Sequence, residues 1–122
     1  MAVSPRQGAP EPARRRALQL LGLAARAGGL VGGTEAVRRA ARGDGVFRVI
    51  LAEDAAPGQR NKLLPLLEAR RVPSHTQFSR GELGAAIGRG PVSAVGFTNR
   101  NFAGRAAELF SALQAGRFTA EP

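Results

Sequence analysis

The chain has no cysteine, no tryptophan and no tyrosine among its 122 residues. Without thiols there is no disulfide frame, no thiolate nucleophile and no cysteine zinc site. His75 is the only histidine, so no Ser/His/Asp or Cys/His grouping can be assembled. No apolar run approaches the ~20 residues that a membrane-crossing helix needs. Met1 to Pro12 lacks the apolar segment of a signal peptide. These absences lead us to expect a cytoplasmic protein that uses no membrane, no metal and no cofactor.

What is present is cationic. The formal net charge is +9, and Lys62 is the only lysine. The basic residues are therefore almost all arginine, which suits phosphate forks and base stacking better than lysine does. A charge this large on a small domain favours a polyanionic partner. The chain is 43% hydrophobic but only 5% aromatic. The core must be built from Leu, Val, Ile and Ala with a few Phe. The length suits one domain and one core.

Met1 to Pro12, rich in Pro, Gly, Ala and Ser, reads as a disordered tail. The domain is expected over 13–116, with a short tail at 117–122. Arg14, Arg15 and Arg16 open a helix as a solvated first turn. Leu18, Leu20, Leu21, Ala24, Ala25 and Ala27 give that helix a buried stripe. Leu30 and Val31 form a short strand. A second helix runs from about Thr34 to Arg42, with Thr34 as N-cap and Gly43 or Gly45 as the left-handed stop. Val46 to Ala52 is apolar except for Arg48, as a central strand covered on both faces must be. Gly58 to Arg71 reads as a helix that Pro65 either kinks or restarts. A strand follows at Ser74 to Phe78. Ser79 with Glu82 makes a capping box for the next helix, which ends at Gly88. Val92 to Phe97 is a strand, and a last helix runs from about Phe102 to Ala115. Alternating strands and helices imply an α/β fold with helices on both faces of the sheet.

The richest stretch for function runs from Gly28 to Asp54. Gly32 and Gly33 precede a helix whose first turn holds Glu35 and whose outer side carries Arg38, Arg39 and Arg42. A glycine-flanked helix start followed by arginines is a landing site for phosphate. A nucleotide loop does not fit, because no Gly-Lys-Ser/Thr and no dinucleotide fingerprint is present. Glu53 and Asp54 are adjacent carboxylates at a strand end. With no second cluster, we read them as a helix cap or an arginine link, and not as catalytic acids.

Gly33-Thr34-Glu35-Ala36-Val37-Arg38-Arg39-Ala40, followed by Val49-Ile50-Leu51-Ala52-Glu53-Asp54, resembles the kink-turn RNA-binding ribosomal proteins of the L-seven-Ae type. Leu64-Pro65-Leu66-Leu67, Val72-Pro73 and Ser79 to Gly88 follow in that family's order and spacing. Leu21 to Gly28 is similar to its small bacterial YlxQ-like branch. The resemblance covers about Leu18 to Phe102. It implies a single-domain three-layer α/β/α sandwich with a small mixed sheet, and a non-enzymatic, monomeric protein that binds structured RNA of the kink-turn or ribosomal RNA kind. It also implies a site. Gly32 and Gly33 would allow close approach, Thr34 and Glu35 would lie at the tip, and Arg38 and Arg39 would steady phosphates. The loop Arg89-Gly90-Pro91-Val92 would pack on a flipped-out nucleotide. The chain departs from the family at one pair: the best-known form has Asn then Glu where this chain has Glu35 then Ala36. Ala36 cannot bond a base edge, and an ionised Glu35 can only accept. The competing expectation is a ribosome- or translation-associated protein-interaction module on the same fold.

Overall fold

The computed structural model describes residues 11–119, with side chains described through Gln114. The elements are α1 (Glu11–Arg26), β1 (Leu30–Gly32), α2 (Thr34–Arg42), β2 (Arg48–Leu51), α3 (Pro57–Ala69), β3 (Ser74–Thr76), α4 (Arg80–Ala86), β4 (Ala94–Phe97) and α5 (Arg100–Thr119). The four strands form one mixed sheet in the order β1-β4-β2-β3. β4 is antiparallel to both β1 and β2, and β2 is parallel to β3.

Alternation along the two central strands separates two cores, as the two-residue period of a strand demands. Ile50, Val95 and Phe97 face Leu21, Leu83, Phe110 and Leu113 from α1, α4 and α5. Val49, Leu51 and Ala94 face Val37, Ala41, Leu63 and Leu67 from α2 and α3. The result is the expected three-layer sandwich. β2 is shorter than expected, because Val46 packs into the second core ahead of the ladder.

The helix ends were only partly foreseen. α1 begins at Glu11, inside the segment expected to be a tail, and residues 1–10 lie outside the described residues. Pro12 fits there because a first-turn residue has no N–H bond to lose. α5 starts at Arg100 and continues to Thr119, past both the expected end at Ala115 and the start of the expected tail; residues 120–122 lie outside the described residues. Pro65 does not break α3. Pro65 and Asn61 are both exposed, so the carbonyl that Pro65 cannot satisfy can turn to water. Leu63 and Leu67 are buried, while Leu64 and Leu66 are half-buried against the same core.

Four helices end in one way. In α1 the Gly29 N–H reaches Ala24 O at 2.8 Å, in α2 the Gly45 N–H reaches Ala40 O at 2.8 Å, in α3 the Val72 N–H reaches Leu67 O at 2.8 Å, and in α4 the Arg89 N–H reaches Gly84 O at 2.8 Å. This is the Schellman closure, and it needs one left-handed residue. Gly28 (φ 77) and Gly88 (φ 76) supply it twice. After α2 it is Asp44 (φ 57), not Gly43 or Gly45, and after α3 it is Arg71 (φ 56). Asp44 accepts a 2.7 Å bond from Arg70 Nη1, which joins these two helix ends.

The capping box on α4 is present: Glu82 N donates to Ser79 Oγ at 3.0 Å, and Ser79 N donates to Glu82 Oε1 at 2.9 Å. Asp54 adds to it by accepting from Arg80 N at 2.8 Å. That bond holds the exposed Asp54 carboxyl below its usual pKa. Asp54 is thus the helix cap and arginine link that its position suggested. Arg14 is not a solvated first-turn residue. It bonds Glu82 Oε2 at 2.8 Å and lies 4.8 Å from the centre of the Phe78 ring.

Candidate nucleic-acid interface

The expected N-cap of α2 moves by one residue. Gly33 is the N-cap, with φ 102 and ψ 148, and no side chain caps the helix. That φ suits glycine and strains any side chain. Gly33 N donates to Ala94 O at 2.8 Å, and Gly33 O accepts from Val37 N at 3.0 Å. Gly33 therefore links the sheet to the helix in one step. Thr34 becomes the first helical residue and is only 8% exposed. Because glycine brings no capping oxygen, the first-turn N–H groups stay open to an anion.

Arg89 completes the site from 57 residues away: its Nη1 donates to Gly32 O at 2.7 Å. A Cβ on Gly32 would lie 3.0 Å from Arg89 Nη1 and 2.6 Å from Ile87 Cδ1. Glycine at 32 is what lets the guanidinium settle on the strand end. A guanidinium has five N–H donors, so this anchor occupies only part of it. Gly84 holds the loop itself, since a Cβ there would lie 2.0 Å from Gly90 O. α4 and the Arg89 loop therefore touch backbone to backbone. Gly90 and Pro91 are exposed. Val92 is not: it is 6% exposed and belongs to the first core. Of the apolar residues of that loop, Pro91 is the exposed one.

Glu35 is exposed and paired on both sides. Its Oε1 lies 3.7 Å from Arg38 Nη1, and its Oε2 lies 3.7 Å from Lys62 Nζ on α3. The carboxylate that would repel phosphate is thereby screened. Ala36 is half-buried and Arg39 is exposed. The structure thus brings Gly32, Gly33, Glu35, Arg38, Arg89, Gly90 and Pro91 to one end of the sheet, leaves Arg39 exposed in the last turn of α2, and turns Thr34 and Val92 inward. Sequence reasoning did not foresee Lys62, whose role depends on how α3 packs beside α2.

His75 stands level with Gly32 but on the opposite edge strand of the sheet, and is buried, at 7% exposed. Arg48 Nη1 approaches Nε2 at 2.7 Å and Gln114 Oε1 approaches Nδ1 at 2.6 Å. Arginine can only donate, so Nε2 accepts and Nδ1 carries the proton. Burial, and then the Arg48 charge, push the pKa of His75 below 6.5, against the bond to Gln114. His75 thus links β3 to Arg48 of β2 and Gln114 of α5. Among the described residues no group of three or more His, Asp or Glu could hold a metal ion. No helix among them is long and apolar enough to cross a membrane.

Residues 15–106 match the family model described as the ribosomal protein L7Ae/L30e/S12e/Gadd45 family. The RNA-binding protein YlxQ of Enterococcus faecium is 32% identical over 96 residues, which are 79% of this chain and 92% of that protein. A Bacillus halodurans protein of unknown function is 35% identical with a TM-score of 0.75, over 79% of this chain and 97% of its own. The Giardia lamblia 15.5kD RNA binding protein shares the fold, with a TM-score of 0.70 at 23% identity, over 93% of this chain and 98% of its own. A glycine-led α2, a loop anchored back onto it and a family match across most of the described domain agree: the chain belongs to the ribosomal protein L7Ae/L30e/S12e/Gadd45 family.

Proposed function

We propose that the chain is a non-enzymatic RNA-binding protein that grips structured RNA, of the kink-turn or ribosomal RNA kind, at the start of α2. The observation that carries this reading is the 2.7 Å bond from Arg89 to Gly32 O. It joins two segments remote in sequence into one cationic surface beside an uncapped helix start. Phosphates are positioned by the open N–H groups and by Arg38, Arg39 and Arg89, whereas base edges are read at the tip. The name of the Enterococcus relative supports RNA as the ligand. In this reading the protein is a monomer of the bacterial cytoplasm that acts near ribosomes. The second reading, a protein-interaction module of the translation apparatus, is favoured by Glu35 and Ala36, which give little to read a base with.

The test is binding to duplex, kink-turn and single-stranded RNA across a salt series. Each phosphate contact should contribute about 0.9 to the log–log slope on a B-form duplex and about 0.7 on single strands. Arg39→Ala should weaken all structured RNAs alike and lower the slope by roughly one contact. A slope near zero, or Arg39→Ala changing RNA preference with affinity intact, sinks this account in favour of the second reading.

A further inference from the structure

We propose that the opposite end of the sheet, where α5 begins, is a second RNA-contact surface, which takes unpaired nucleotides on stacked arginine–phenylalanine pairs. This rests on the reading of the chain as an RNA-binding protein, and adds a site that the α2 surface does not contain.

The register places the parts. Leu30 of β1 and Arg48 of β2 both stand opposite Phe97 of β4. Thr98 N donates to Gly29 O at 2.9 Å, and Phe47 N donates to Phe97 O at 2.8 Å. α5 therefore starts beside Gly29 and Phe47, at the far end of the strands from Gly32 and Ala94. There the Arg100 guanidinium lies 4.3 Å from the centre of the Phe47 ring. Arg105 lies 5.8 Å from the Phe102 ring. Phe102 packs on Gly29, where a Cβ would come within 2.9 Å of Cδ2. Residues 100 and 102 point roughly 200° apart around a helix, so the two pairs flank the first turn of α5. Both rings are half-buried and both arginines are exposed.

The exposed Arg100 guanidinium, held close over the Phe47 ring, leaves its outer side open to a base, and Arg105, farther from its ring, adds charge beside it. Bases of single-stranded RNA stack on aromatic and guanidinium planes with little regard to sequence. Arg42 at the end of α2 and Arg71 after α3 are exposed at the same end. They can track phosphates beside the stacked bases.

Helix dipoles explain part of this charge. Arg26 and Arg42 sit in last turns, where a cation offsets the partial negative charge. Arg100 does not fit that account. It occupies the first turn of α5, which holds no acid, and there the dipole opposes a cation. What holds it is the Phe47 ring, and what it exposes is a cationic plane.

The two surfaces lie at opposite ends of the strands, so both can be filled at once. The test titrates labelled oligoadenylate and oligouridylate decamers into the full chain, both free and saturated with a kink-turn stem–loop. Decamer affinity should agree within about threefold between the two states, as expected for separated sites. The double variant Arg100→Gln, Arg105→Gln should lower decamer affinity about tenfold and leave stem–loop affinity unchanged. Phe47→Leu keeps most of the apolar volume and should also weaken the decamer while stem–loop affinity is kept, which separates stacking from charge and from folding. Displacement of the decamer by the stem–loop, or a decamer affinity insensitive to both variants, overturns the proposal. The stem–loop arm reports on the α2 surface alone: its failure with decamer binding retained removes that site and leaves this one standing. If neither RNA binds, both proposals fall.

Discussion

At the end of the sheet where α2 begins, carboxylates accompany the cations. Glu35 lies between Arg38 and Lys62, Asp54 holds Arg80, and Glu82 holds Arg14. At the end where α5 begins, Asp44 is paired with Arg70, Glu68 stands in the last turn of α3, and Glu108 follows Arg105 one turn along α5. Exposed ion pairs contribute little to stability, about 0–1 kcal/mol each. Their larger effect here is on shape. Paired arginines are held in place, which suits recognition of one folded ligand. Arginines held over phenylalanine rings keep their charge exposed without an acid partner among the described residues, which suits a flexible one.

The sharpest way to break this contrast is Gly84→Ala. The new methyl would meet Gly90 O at 2.0 Å, and neither partner is the movable tip of a side chain. Overpacking of this kind costs about 3 kcal/mol, more than alanine returns in helix propensity. Chemical denaturation should show that loss. At temperatures where the variant stays folded, the Arg89 loop should be displaced. Structured-RNA affinity should then fall while decamer affinity is kept. Equal loss of both would mean that the two ends are not separate.

A smaller effect sharpens the comparison from the α2 side. The double variant Glu35→Asn, Ala36→Glu restores the family's pair and should raise preference for a kink-turn over a plain duplex. One recovered bidentate contact is worth about 1–3 kcal/mol. Ala36 is half-buried, so thermal melting comes first, to show that the fold is intact. Competition binding then gives the preference. A stable variant with no gain would mean that this surface has diverged to another RNA or to a protein.

The smallest effect concerns acid. His75 joins β3 to Arg48 of β2 and to Gln114 of α5. Its folded pKa lies below the unfolded value of 6.5, so the unfolded chain binds the proton more readily. Stability from this group is therefore complete above about pH 6.5 and is lost as pH falls toward the folded pKa. Urea midpoints should be level from pH 8 to 7 and decline below that window, and His75→Gln should flatten the decline between pH 6.5 and 5. An unchanged slope in the variant would assign the acid sensitivity to other groups.

Much of this was legible in the residues. The run from Val46 to Ala52 marked the central strand, because only a strand covered on both faces tolerates such continuous apolarity. Ser79 and Glu82 marked the start of α4, because a capping box is a local bond between near neighbours. Gly33 and the arginines after it marked the start of α2 and suggested the surface proposed there, because a glycine before a basic helix carries its chemistry in adjacent positions. Tertiary structure decided what local pattern could not. It made Gly33 the cap in place of Thr34, since the cap must also reach Ala94 on β4. It turned Val92 inward and brought Arg89 onto Gly32, since the contact of Gly84 with Gly90 sets where that loop runs. It put Asp44, and no glycine, in the left-handed position after α2, where its carboxylate meets Arg70 from α3. Local hydrogen bonds and hydrophobic period act over a few residues and can be read along the chain. The positions of Arg89, Arg100 and Lys62 depend on which elements the sheet places side by side, and that exists only once the chain has folded.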